Sequence, residues 1–118
     1  MSAEKIEFQN VTFKHPSLQG KEVVKDFSEV FEANKSTAIF GDADADTSAI
    51  INLMQRFYDP QQGEISIGKD NICFVHLRSW RRCVGYVDRD PAIFYGTVRY
   101  NLQMAEPDAS DQEMMKTL

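Results

Sequence analysis

The chain opens on an alternation. Ile6 and Phe8, then Val11 and Phe13, alternate with polar residues and slip once at Asn10. This pattern predicts a half-buried strand with a bulge at Asn10. Pro16 to Gly20 is a turn-rich break, and Val23–Phe31 reads as a second strand paired antiparallel with the first. Ser36–Phe40 is a short apolar run ending in Gly41, as a strand buried on both faces requires. From Thr47 to Tyr58, Ile50, Ile51, Leu53, Met54 and Phe57 recur with a helical period, which stops before Asp59–Pro60. A buried strand therefore runs through the loop 41–49 into a helix.

Glu64–Ile67 predicts another short strand, closed by the turn Gly68–Asn71. His76–Cys83 reads as a short helix and Val84–Val87 as a second buried strand. A loop begins at Asp90–Pro91, and Ser110 is placed to cap a final helix, with Glu113 completing a capping box. The chain carries no internal repeat. Helices following strands indicate an α/β fold.

Composition narrows the picture. A chain of 118 residues holds at most one domain, and 42% hydrophobic with 26% charged residues is ordinary globular composition. The net charge of −5 argues against nucleic acid, whose phosphates demand clustered Lys and Arg. The basic stretch Arg78–Arg82 is too short to reverse that and reads as a solvated helix face, with His76 on the surface and Trp80 packed. Cys73 and Cys83 make neither a disulfide framework nor a metal site at their spacing. Met1–Lys5 is no charged-then-apolar leader, and apolar runs such as Ala49–Ile51 are far below the ~18 residues that span a bilayer. The chain is expected to be soluble, intracellular and reduced.

Four stretches carry a resemblance. Ile6–Phe13, Leu53–Ile65 (with Arg56-Phe57-Tyr58-Asp59-Pro60), Leu77–Val87 and Asp90–Leu102 (with Phe94, Gly96-Thr97-Val98-Arg99 and Asn101) follow in order. Together they are similar to the nucleotide-binding domains of ABC transporters of the exporter branch, the multidrug and peptide type. The resemblance implies a P-loop NTPase-like (RecA-like) α/β core with an N-terminal antiparallel β-subdomain. It divides the chain into a β-subdomain over 1–35, a phosphate-loop core over 36–90 and the start of a helical subdomain over 91–118. The family's domain is about twice as long, and its signature motif, Walker B strand and switch histidine match nothing here. The chain is thus expected to be part of such a domain.

Within the resemblance, Gly41-Asp42-Ala43-Asp44-Ala45-Asp46-Thr47-Ser48-Ala49 occupies the place of the Walker A phosphate loop. There, glycines let backbone N–H groups wrap the phosphates while a lysine bridges the terminal two. Gly41 and Ser48 match. Asp44 and Asp46 stand at interior glycines, and Thr47 stands at the lysine. Aspartate resists the positive φ that glycine permits and brings negative charge to an anionic ligand. Repulsion between unit charges ~4 Å apart reaches about 4 kcal/mol at an effective dielectric of ~20, against about 8 kcal/mol for all of micromolar binding. His15 matches the aromatic residue that stacks on adenine. Arg89 stands where the family has the glutamine that contacts Mg²⁺ and the attacking water, and a guanidinium has no lone pair to offer a cation.

The family's cofactors are ATP and Mg²⁺; this chain's own site is expected to bind neither and to hydrolyse no ATP. Expected partners are a transmembrane domain and a second nucleotide-binding domain at the cytoplasmic face of a membrane, with Phe94 and Tyr95 in the loop that meets the coupling helices. Exposed sheet edges predict self-association of the isolated chain. Other readings stay open: a compensated, ATP-competent loop; a binding module that reuses the fold; a weak divalent site at Ser48 with one aspartate. The Asp42-x-Asp44-x-Asp46 spacing opens like an EF-hand, but Thr47 and Leu53 fill that motif's glycine and glutamate positions. Arg89 is also placed to pair with Asp44 or Asp46 and plug the pocket.

Overall fold

The computed structural model describes residues 3–18, 20–41, 44–88 and 90–118, and for 44–46 the backbone alone. The chain forms two compact units, Met1–Gly85 and Tyr86–Leu118.

In the first unit, β1 (Ile6–Lys14) is the centre of a four-stranded antiparallel sheet. It pairs on one side with β2 (Glu22–Phe31) and on the other with β3 (Gln62–Ile67), which carries the two-residue β4 (Asp70–Asn71). The bulge expected at Asn10 is present: the β1–β2 register shifts between Phe8 and Val11, and Asn10 has φ 48°. Asp26, opposite, is left-handed too, with φ 46°. Side chains stitch the two irregularities together. Asn10 donates from Nδ2 to Asp26 Oδ1 at 2.9 Å and from its N–H to Ser28 Oγ at 2.9 Å, and Asp26 N–H donates to Thr12 Oγ1. Polar residues thus satisfy the backbone groups that a bulge unpairs.

One face of this sheet packs on α1 (Asp44–Met54), whose buried Ala49, Ile50 and Leu53 meet Phe8, Val11, Phe13, Val24 and Ile65. Phe27 and Phe31 press edge-on against Phe8, with centroids 5.4 and 5.6 Å away. α2 (Leu77–Arg82) adds the buried Trp80, as the sequence reading held, while His76 is exposed at its start. Cys73 is half-buried and Cys83 exposed, and both are free thiols. Burial pushes the Cys73 thiol up, helped by the neighbouring Asp59 carboxylate.

Three expectations need correction. Ser36–Phe40 and Val84–Val87 are not strands, and Phe40 and Val87 are each 91% exposed. An apolar run becomes a strand only beside a partner that takes its N–H and C=O groups, and among the described residues neither run has one. Helix α1 begins at Asp44, inside the span read as loop, and ends at Met54 rather than Tyr58. Aspartate favours a first helical turn, where its charge meets the positive end of the helix dipole, so the same substitutions that spoil a glycine loop extend the helix into it.

In the second unit, α3 (Val98–Ala105) is capped by Thr97, whose Oγ1 accepts from Tyr100 N–H. The local pattern predicts a loop from Asp90–Pro91, whereas the resemblance starts a helical subdomain at 91. Asn101 brackets the turn before it, accepting from Phe94 N–H and donating to the Phe94 and Thr97 carbonyls. α4 (Asp111–Thr117) starts in the capping box expected of Ser110 and Glu113. Arg99 clamps Asp111 through both guanidinium nitrogens, tying the two helices together.

Candidate functional site

The N-terminal end of α1 is where the sequence places the chemistry. Gly41 is exposed at the approach to the helix, Thr47 is half-buried within the first turns, and Ser48 is exposed. Asp42, Ala43 and Arg89 lie outside the described residues, so the proposed pairing of Arg89 with an aspartate does too. Asp44, Ala45 and Asp46 are helical in backbone.

Two clefts meet this end of the helix. One, of about 190 Å³, is lined by His15, Ser17, Val23, Ser48 and Asn52 among others, so the adenine-position residue and the loop serine share one wall. His15 is held there. Its Nδ1 lies 2.8 Å from Ser17 Oγ, and its ring stands edge-on to Tyr58 with centroids 5.1 Å apart. Phe13 completes the group at 5.3 Å from Tyr58. The half-buried imidazole thus belongs to an aromatic cluster rooted in the core through Phe13.

The other cleft, of about 370 Å³, is lined by Gly41, Thr47, Phe40 and Ile50 and by Val23, Lys25 and Phe27 of β2. Lys25 is the residue that sequence reasoning passed over. It sits on the wall of the cleft that also holds Thr47, the position at which the resemblance expects an ammonium. No local signal marks it, because only the docking of α1 on β2 brings position 25 near position 47. Tyr58 and Asn52 likewise reach their places only through tertiary packing, whereas Ser17 stands two residues from His15.

Among the described residues, no group of three or more His, Cys, Asp or Glu is disposed to hold a metal ion. Among the described residues, no helix is long and apolar enough to cross a membrane. In the second unit, Phe94 is 51% exposed and Tyr95 fully exposed.

A family model described as ABC transporter matches residues 24–118. The chain is 33% identical, over 96% of its length, to the ATP-dependent permease MDL1 of Candida albicans, of which it covers 16%. It is 41% identical over 82% of its length to ABC transporter B family member 15 of Arabidopsis thaliana, of which it covers 8%. An uncharacterized ABC transporter ATP-binding protein of Sinorhizobium fredii is 34% identical over 94% of the chain, which covers 19% of that protein. The chain thus spans less than a fifth of each of these relatives.

Proposed function

This chain belongs to the ABC transporter family, within the nucleotide-binding domain of the exporter branch, and on that premise we propose that it serves a transport ATPase as a copy whose own ATP site is silent. The family's domain has the P-loop NTPase fold. The observation that carries the proposal is the start of α1 at Asp44 over a loop that reads Asp-Ala-Asp-Ala-Asp-Thr.

That donor set does not fit a triphosphate with Mg²⁺. Backbone amides that would wrap a phosphate lie in a helical turn, carboxylates stand where glycines are needed, and Thr47 supplies no charge. An N-terminal turn does attract anions, by about 0.3–2 kcal/mol, but the sequence puts two aspartates, Asp44 and Asp46, in that turn, and their charge opposes a phosphate's. The catalytic role therefore falls to no residue of this chain. Its contribution is structural: it pairs with a second nucleotide-binding domain and transmits motion to a transmembrane domain, in which Phe94 and Tyr95 take part, at the cytoplasmic face of a membrane. The divisions at 35/36 and 90/91 belong to the same proposal, as does a plug formed by Arg89 on Asp44 or Asp46. Loss of that plug in Arg89→Gln should lower the melting temperature, and an unchanged value removes it.

Titration of the chain with ATP, with and without Mg²⁺, in a calorimeter tests the proposal. Absence of saturable binding up to about 1 mM supports it, and micromolar affinity overturns it. One observation favours a second reading, in which the loop is compensated: Lys25 lines the cleft that holds Gly41 and Thr47. Binding that is present in the natural chain and lost in Lys25→Gln would select that reading.

A further inference from the structure

Helix α1 ends in an unusual way. Arg56 is left-handed with φ 55°, a conformation that usually falls to glycine after a helix. Its N–H donates to Leu53 O, and Phe57 N–H reaches back to Asn52 O at 2.9 Å, so those two carbonyls are closed by the backbone itself. The carbonyls of Met54, Gln55 and Arg56 are left over, as a helix end requires. All three are taken by two consecutive residues of α2. Trp80 Nε1 donates to Met54 O at 2.8 Å, Arg81 Nε to Gln55 O at 3.2 Å, and Arg81 Nη2 to Arg56 O at 2.8 Å.

The guanidinium of Arg81 also lies 4.7 Å from the centre of the Phe57 ring. Arg56 answers in the other direction, donating to the carbonyls of Val75 and Cys73, just ahead of α2. Two arginines thus sit at the negative end of one helix. Each is held by carbonyl dipoles, which a cation at a helix C-terminus favours. Trp80 supplies the apolar anchor, at 4% exposure.

We propose that Trp80 and Arg81 form a clasp that makes the C-terminal turn of α1 and the whole of α2 one opening unit. The clasp joins the helix that starts at the candidate phosphate loop to the segment that leads to Arg89, so a displacement of either segment is felt by the other. This holds whether or not the loop binds nucleotide.

Native-state hydrogen exchange on the chain in low urea tests the clasp. The amides of Gln55, Arg56 and Phe57 donate to carbonyls of α1, and those of Trp80, Cys83 and Val84 to carbonyls of α2 or of His76 just before it, so all are readable. They should exchange through one shared opening, with the same urea dependence. In Arg81→Ala, both groups should speed up together by about tenfold or more, the loss of a charged hydrogen bond, while the amides of β1 and β3 keep their rates. Arg81→Lys, which keeps the charge but loses the planar fork that reaches both carbonyls from separate nitrogens, should recover only part of the protection. Trp80 is the single tryptophan of the chain, so its emission reports opening directly. Separate openings for the two groups in the natural chain overturn the clasp, and that measurement needs no variant. A uniform acceleration that includes β1 and β3 overturns it as well, because it marks a merely global loss of stability.

Discussion

Rebuilding the loop is the sharpest test of the electrostatic argument. The triple variant Asp44→Gly, Asp46→Gly, Thr47→Lys removes two negative charges and adds one positive, a change of three units at the end of α1. Gly41 and Ser48 flank this site and are exposed, so the interaction is taken at its water-like limit, about 1 kcal/mol per unit charge pair at 4 Å. Three such changes give about 3 kcal/mol, or about two orders of magnitude in affinity. The backbone moves in the same direction. Each glycine costs about 1 kcal/mol in a helix, so residues 44–46 should leave α1 and regain the loop conformation that phosphates need. Calorimetric titration with Mg-ATP should show no saturation for the natural chain up to about 1 mM and binding about 100-fold tighter for the variant. A natural chain that saturates at micromolar ATP refutes the reasoning. So does a variant that folds, loses the first turn of α1 and binds no more tightly.

Other expectations follow from particular contacts. Gly63→Ala should be severely destabilising: Gly63 has φ +77°, and an added Cβ would fall 2.3 Å from Gln9 O and 2.4 Å from Asn10 O, both backbone atoms of β1. A urea midpoint within error of the natural chain's would sink that reading. Hydrogen bonds from Arg99 hold Asp111 below its usual carboxylate range, and Ser110 holds Glu113 below its own. Groups whose folded pKa is depressed contribute stability above their unfolded values of about 4, and lose it as pH falls through the folded ones. Amide shifts of α4 should therefore stay flat down to about pH 4 and move below it, with a smaller change in Asp111→Asn. Light scattering should find the isolated chain self-associated, since β2 is an edge of the sheet and Phe40 and Val87 are bare; a well-dispersed monomer counts against this.

What the sequence could disclose divides along the range of the interactions concerned. Short-range chemistry was legible: the bulge at Asn10, the pairing of the first two strands and the Ser110–Glu113 capping box each depend on residues close in sequence or on alternation alone. The runs 36–40 and 84–87 were misread because hydrophobicity records the environment a segment wants, whereas a strand exists only where a neighbour supplies donors and acceptors. The start of α1 was misread because the resemblance named the loop by its family role, while Asp44 and Asp46 obey the local rule for a first helical turn. Position 25 escaped notice since nothing in β2 signals which helix end it will face. The end of α1 makes the point most fully. The carbonyls of its last residue and of the two that follow are completed by residues 80 and 81, so the period that predicts the helix contains no trace of what finishes it. That same distance gives the contact its consequence: a helix end closed from within can fray alone, whereas one closed by another helix cannot open without it.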